Sequence, residues 1–511
     1  MSQQPYYAVI DIGSNTIRLV IYKMNAYHVL FEEQNLKYTA RLRSYLDKDN
    51  TINKEGINQI LTTLHLFQTV TRSYELSSIN VIATAAIRQA KNRDEIVKMV
   101  EKETDYHMTV LSEKEEAYYG YLSVIQSTNL EEGYTIDIGG GSTEITYMEN
   151  RKIKHYHSFP FGALTLQQEF IHNDKPTTLE LEKLNKFVCD QFREIPWIKK
   201  RNLRVVGIGG SARNLSQIHQ KQCQYPLSGI HHYEFPSEEI LGVINQLKEH
   251  PLSSRKKVEG LSKERADIII PAIQAIFSFT HYVKAPSFLM CRKGLREGYI
   301  YETLISNQVT DRFPNITEKN IEALSVKYNI NNMRIASLKK TAFLLAEQFN
   351  SAGYLTLTGW QNFLQQAAQL NYLGDHIESE SVSQHTFYIL SNTALNGMNH
   401  KNRIILALLA SFKNKSTFKD FVSPYVTWFT DHELEQFEKL GAILKFSYFL
   451  NTTNRNVVDQ VKLMNSKHEN KFTLKVMCHK DFVFEKEKCE KHVKHLERAY
   501  GIEIELDFQN I

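Results

Sequence analysis

One short pattern occurs twice in this chain. Residues 8–22 read AVIDIGSNTIRLVIY and residues 134–147 read YTIDIGGGSTEITY. Each is an apolar run, then Asp-Ile-Gly, then small hydroxyl or amide residues, then a second apolar run. Runs rich in Ile, Val and Tyr around a glycine-containing turn predict a β-hairpin. Asp11 and Asp137 take matching places. The echo therefore predicts a duplicated domain, with one hairpin opening each copy.

The rest of the first 300 residues fits that plan. Ile57, Ile60, Leu61, Leu64 and Phe67 fall at helical spacing within 53–75, and SINVIATAA (78–86) reads as a buried strand. Helices are expected from Asn92 and from near Glu113, with a strand at Thr109–Leu111 between them. The second copy repeats this alternation, with a helix at 178–193, the strand RVVGIGG (204–210), a helix from near Ala212, an apolar helix over Ile268–Phe279 and a strand at Ser287–Cys291. Alternating elements argue for α/β layers. After about residue 303 strand signals fade. Residues 316–448 carry amphipathic helical patterns such as Leu338, Ala342, Leu345 and Phe349, preceded by a linker, VTDRFPN (309–315). KFTLKVMC and IEIELDF then predict strands flanking a Lys-rich helix at 485–499. The expected division is 1–122, 123–305, 316–450 and 455–511.

Bulk numbers bound the class. The 511 residues are 42% apolar with a net charge of +4, so any polyanion site must be a local patch. The five cysteines form no C-x-x-C pair, which reads as reduced thiols in a cytosol. Met1–Val9 lacks the charged and apolar regions of a signal peptide, and no stretch is apolar enough to span a membrane. The expectation is a cytoplasmic protein bound to neither membrane nor nucleic acid.

Three glycine turns could cradle phosphate: Gly13-Ser14-Asn15, Gly139-Gly140-Gly141-Ser142-Thr143 and Gly209-Gly210-Ser211. Backbone N–H groups converge on an anion only where no Cβ intervenes, and the third turn adds a helix N-terminus. None fits the P-loop or the dinucleotide fingerprint. Asp11 and Asp137 end apolar strands, where a carboxylate faces whatever the turn holds and can serve Mg²⁺. Glu144 is a further metal or water contact. Glu113, Glu115 and Glu116 read on pattern alone as the acidic first turn of a helix. Arg88 and Arg296 suit phosphate, yet each alone reads as a surface salt-bridge residue.

Together these segments resemble the exopolyphosphatase / guanosine pentaphosphate phosphohydrolase (Ppx/GppA) family. The matching pieces are AVIDIGSNTIRLVIY (8–22), ATAAIRQAKN (83–92), LSEKEEA (111–117), IDIGGGSTEI (136–145), GIGGSARNL (207–215) and GLREGYIYE (294–302). The resemblance implies two actin-like (ASKHA, ribonuclease H-like) half-domains around a cleft, an all-α HD-like domain and a small α+β C-terminal domain. It makes Glu116 the general base and gives Asp137 and Glu144 to Mg²⁺ and the attacking water. Asp11 shapes the opposite wall and is counted with the phosphate-binding residues. Arg88, Gly13, Ser14, Asn15, Gly139, Gly140, Gly141, Ser142, Thr143, Gly209, Gly210 and Ser211 match phosphate-contacting loops. An active HD site needs adjacent His-Asp ligands. Here Asn371-Tyr372 stands in that place, Asp375-His376 is reversed and His385 is alone, so the helical domain is expected to be non-catalytic.

The family implies hydrolysis of a terminal phosphoanhydride, and a homodimer. Exopolyphosphatase is the leading expectation. Guanosine pentaphosphate hydrolysis shares the scaffold, and a polyphosphate- or nucleotide-binding regulator with little turnover is the alternative of another class.

Overall fold

In a computed structural model of the protein, residues 5–199, 201–465 and 470–511 are described, so the first part of Met1–Val9 lies outside them. The chain forms two compact units, Met1–Ile316 and Thr317–Ile511.

The first unit contains the duplication. Its opening strands are β1 (Tyr6–Ile12), β2 (Ile17–Met24) and β3 (Leu30–Tyr38). Then come α1 (Lys54–Thr71), β4 (Leu76–Ala83), α2 (Ala85–Arg88), α3 (Arg93–Glu103), β5 (Met108–Val110) and α4 (Glu113–Ile125). The second copy runs β6 (Gly133–Ile138), β7 (Thr143–Glu149), β8 (Lys152–Phe159), α5 (Ala163–Phe170), α6 (Thr178–Arg193), β9 (Val205–Ile208), α7 (Gly209–Gln222), β10 (Glu234–Pro236), α8 (Ile240–Lys248), α9 (Leu252–Arg255), α10 (Ile269–Tyr282), β11 (Ser287–Met290) and α11 (Leu295–Ser306). The first sheet has strand order β3-β2-β1-β4-β5 and the second β8-β7-β6-β9-β11-β10. In each, the hairpin strands are antiparallel and the next strands join in parallel. The copies thus share one topology, to which the second adds the antiparallel edge strand β10.

Strand alternation decides what faces the space between the halves. On β1, Ala8, Ile10 and Ile12 enter the core beneath α1 and α3, whereas Val9 points to a second core shared by both halves. Asp11 is on Val9's side. On β6, Tyr134, Ile136 and Ile138 enter the second half's own core, leaving Thr135 and Asp137 on the other side. The shared core holds Val9, Val20, Tyr22 and Leu122 with Val206, Ile208, Ile300 and Leu304. Each such fully buried side chain contributes about 1.5–3 kcal/mol. α11 packs on α4 so closely that a Cβ on Gly298 would lie 1.9 Å from the Tyr119 carbonyl oxygen.

Three sequence expectations shift. The segment 78–86 is not one strand: β4 ends at Ala83, and Ala85 and Ala86 begin the short α2. The helix expected near Ala212 starts at Gly209, because the chain turns straight from β9 into α7. The C-terminal sheet has a strand ahead of the two expected.

In the second unit, α12 (Ile316–Lys327), α13 (Asn332–Ser351), α14 (Trp360–Gln369), α15 (Val382–Asn392), α16 (His400–Ala410), α17 (Lys415–Val422) and α18 (Asp431–Leu450) precede β12 (Val458–Asn465), β13 (Lys471–Cys478), α19 (Val483–Tyr500) and β14 (Glu503–Asn510). The three strands form one sheet in the order β12-β13-β14. In the helical part, Asn371 is buried with its amide donating to the Ala410 carbonyl, and the Tyr372 hydroxyl donates to the Phe412 carbonyl. No described helix is long and apolar enough to cross a membrane.

Candidate active site

The two Asp-Ile-Gly hairpins meet across a cavity of about 180 Å³. Their turns close in the same way: Gly13 N–H donates to the Thr16 carbonyl at 2.9 Å, and Gly139 N–H to the Ser142 carbonyl at 3.0 Å. Gly140 approaches Ser14 so closely that a Cβ on it would lie 3.1 Å from the Ser14 Cβ. The N–H groups of Ser14, Asn15, Gly140 and Gly141 donate to no described residue. The third turn forms the first residues of α7, whose N-cap, Ile208, offers no side-chain acceptor. Orphan amides and the positive end of a helix dipole therefore face the same space.

The walls carry opposite charges. Asp11, Glu116 and Asp137 line the cavity, as do Arg18, Arg213, Arg265, Arg292 and Arg296. In β-register Asp11 stands opposite Arg18, whereas Asp137 stands opposite Glu144. Arg296 Nη1 donates to Asp11 Oδ2 at 3.0 Å with both side chains largely buried, so Arg296 is no surface residue. Arg265 stacks over Gly210. Burial pulls the Arg213 guanidinium down to about 10, helped by Arg18, Arg296 and Arg292 nearby.

The acidic side is under electrostatic tension. Burial raises Glu116 to about 7, although Arg88 works against the rise and Asp137 adds to it. Asp137 rises to about 6, again through burial, with Arg265 opposing. Glu144 rises well above its usual range through burial and then through repulsion by Glu116 and Asp137. Three carboxyls that cannot ionise freely together are poised for proton transfer or for a cation. Asp137 also explains Gly209: with φ at +78° and a Cβ position 2.2 Å from Asp137 Oδ1, no other residue fits there.

The sequence-assigned residues divide. Asp11, Gly13, Ser14, Asn15, Glu116, Asp137, Gly139, Gly140, Gly141, Ser142, Gly209 and Gly210 line the cavity. Thr143, Ser211, Arg88 and Glu144 do not. The Thr143 hydroxyl is committed to the Phe161 carbonyl at 2.7 Å and that of Ser211 to the Ile138 carbonyl at 3.0 Å. Arg88 pairs with Glu116. Glu144 is 6% exposed and accepts from the Ser158 hydroxyl at 2.9 Å. Glu115 caps α4 through Ser112, which leaves Glu116 as the carboxylate of that turn on the cavity. Sequence reasoning missed Arg18, Arg213, Arg265 and Arg292. Arg18 and Arg213 sit inside motifs already singled out, and their register behind each turn was the available signal.

Residues 20–307 match the Ppx/GppA phosphatase family, and residues 316–495 match domain III of that family. The guanosine-5'-triphosphate,3'-diphosphate pyrophosphatase of Aeromonas hydrophila subsp. hydrophila is 25% identical over 457 residues, spanning 87% of this chain and 84% of that protein. The crystal structure of the Aquifex aeolicus Ppx/GppA family member superposes with a TM-score of 0.54 at 25% identity, over 59% of this chain and 98% of that one. An exopolyphosphatase from Cytophaga hutchinsonii shares the fold, with a TM-score of 0.54 at 21% identity over 59% of this chain and 98% of that one. With the duplicated actin-like sheets, the paired glycine turns and the family pattern extending over both compact units, the chain belongs to the Ppx/GppA phosphatase family.

Proposed function

We propose that this phosphatase is an exopolyphosphatase, releasing terminal inorganic phosphate from polyphosphate by in-line attack of water. The carrying observation is what lines the cavity: glycine amides, five arginines and three carboxylates, with no aromatic side chain. Phosphate oxygens satisfy such walls, while a guanine base would want a stacking or apolar surface. At about 180 Å³ the cavity is also below the roughly 300–1,000 Å³ of pockets that bury a whole drug-sized ligand. It suits the end of a chain, with the remainder outside.

In this reading the amides of the three turns hold the terminal phosphoryl and the arginines hold the phosphates behind it. Glu116, at about 7, is ionised in a useful fraction near neutral pH and takes the proton of the attacking water. Fixed dipoles and charges supply most of the acceleration, as is general for phosphoryl transfer.

Mg²⁺ fits the same place. Among the described residues no three His, Cys, Asp or Glu side chains form a closed metal cage. Mg²⁺ does not require one, since it commonly takes one or two carboxylates, water and substrate phosphate oxygens. Asp137 offers an oxygen donor on the cavity, and Glu144 stands behind it, opposite in β-register, so a cation on Asp137 would relieve their mutual repulsion. When bound, the ion would offset charge developing on the phosphoryl oxygens.

Guanosine pentaphosphate hydrolysis is the second reading, favoured by the Aeromonas relative, which matches across both units of this chain. Phosphate release from long-chain polyphosphate and from guanosine pentaphosphate, compared as kcat/KM, decides between them. A preference of tenfold or more for the nucleotide overturns the first reading. Tight binding of either without release favours a regulator.

A further inference from the structure

The family resemblance gives Arg88 to substrate phosphate, and its surroundings give it another task. It closes α2, and its Nη1 donates to Glu116 Oε2 at 2.6 Å and to the Leu111 carbonyl at 3.0 Å. Both side chains of the pair are nearly enclosed, at 13% and 14% exposed. Nη2 is buried without a partner. Thr84, Ala85 and Glu116 line the cavity and Arg88 does not, so Glu116 stands between the guanidinium and the cleft. Of the two Glu116 oxygens, only Oε2 accepts a hydrogen bond from a described residue.

We propose that Arg88 is a positioning residue: it clamps Oε2 of Glu116 so that Oε1 is left to receive the proton of the attacking water, and it does not bind substrate phosphate. The proposal rests on reading Glu116 as the general base. A single carboxylate oxygen held by a charge-assisted bond fixes the whole group, because the carboxylate is planar. The Leu111 carbonyl, just past the end of β5, fixes the guanidinium in turn. The clamp is needed because the other charged groups facing Glu116 repel it: Asp137 from β6, Asp11 from β1 and Glu144 from β7 all crowd the same space. Misplacing a reacting group by about 1 Å costs on the order of 10² in rate.

The test uses the full chain with Arg88→Gln, Arg88→Lys, Glu116→Gln and the Glu116→Gln/Arg88→Gln double variant. Phosphate release from long-chain polyphosphate should fall about 10²–10³-fold in kcat for Arg88→Gln with KM almost unchanged, and Arg88→Lys should recover part of the loss. In the Glu116→Gln background, Arg88→Gln should cost almost nothing more, since the two act as one unit. Calorimetric binding of long-chain polyphosphate to Glu116→Gln and to the double variant should give equal Kd. A Kd or KM about tenfold higher without Arg88, or losses that multiply in the double variant, overturns the proposal. If Arg88→Gln fails to fold, Arg88→Lys and the double variant, which leaves no unpaired buried charge, still decide. A wild type that releases no phosphate from polyphosphate or guanosine pentaphosphate defeats the functional reading instead, and the binding comparison still shows whether Arg88 touches phosphate.

Discussion

The two Asp-Ile-Gly hairpins share a backbone and differ in charge. In both, the aspartate ends the first strand, the glycine N–H closes the turn, and the residue seven positions later stands opposite the aspartate across the ladder. In the first hairpin that residue is Arg18, and Arg296 pairs with Asp11 as well. In the second it is Glu144, and Glu116 adds another carboxylate nearby. The register partner and one neighbour from a helix thus give the two hairpins different walls. The first is neutralised and suited to substrate phosphate. The second sets carboxyl against carboxyl, the surplus that the proposed function gives to a cation and an activated water.

The contrast between the walls is most exposed at the general base. Glu116→Gln should lower kcat for phosphate release by about 10²–10⁴-fold. Loss of less than about tenfold would remove the second wall's special role. The next effect is on pH. With burial raising Glu116 to about 7, the proposed base role predicts that kcat/KM falls as pH drops below that value. The apparent pKa belongs jointly to Glu116 and its carboxylate neighbours, so it should move when Glu144→Gln removes one of them, and it should move downward. A flat profile between pH 5 and about 8 contradicts the assignment.

Substrate affinity should report on the first wall. Arg18→Gln removes a cavity-lining cation, and a charge-assisted hydrogen bond is worth about 1.5–3 kcal/mol. KM for polyphosphate should therefore rise roughly tenfold or more, with the defect shrinking as salt screens the remaining arginines. The opposite pattern, a kcat defect with unchanged KM, would exchange the roles of the walls.

Stability gives the smallest and most discriminating contrast. Asp137 has its folded pKa raised from 3.8 to about 6, so the native state holds that proton more tightly than the unfolded chain does. That preference stabilises the fold below about pH 4 and is lost as pH rises through about 6, above which the buried charge is a cost. Asp137→Asn should consequently raise Tm by a few degrees at pH 8 without metal and leave it unchanged at pH 4. Burial raises the Asp11 carboxyl too, but its ion pair with Arg296 opposes the rise, so Asp11→Asn should raise Tm at pH 8 by less than Asp137→Asn does. Differential scanning of both variants at the two pH values checks the signs.

Much of this was legible in the residue pattern alone. The hairpin echo carried the duplication, because a period-two apolar pattern around a glycine turn has few other solutions. The cavity glycines and Asp137 followed from it. What the sequence hid was long-range: Arg265 and Arg292 reach the cavity from segments over a hundred residues beyond the second hairpin, and no local pattern marks an arginine as buried, so Arg296, though singled out, reads there as a surface residue. Thr143 and Ser211 read as phosphate donors because their hydroxyls follow glycine turns, while the fold has each hydroxyl donate to a neighbouring carbonyl, which no local pattern announces. Strand β12 escaped notice because its burial alternates only weakly.

Whether the two turns are unequal is decided by titrating Mg²⁺ into phosphate-release assays of Asp11→Asn and Asp137→Asn side by side. Unequal turns predict that Asp137→Asn loses at least about 10² in kcat and needs roughly 10–100-fold more Mg²⁺, whereas Asp11→Asn keeps the wild-type Mg²⁺ midpoint and shows its defect in KM. Equal losses with the same shift in Mg²⁺ requirement would mean that the turns are equivalent and would contradict the division of roles between the walls.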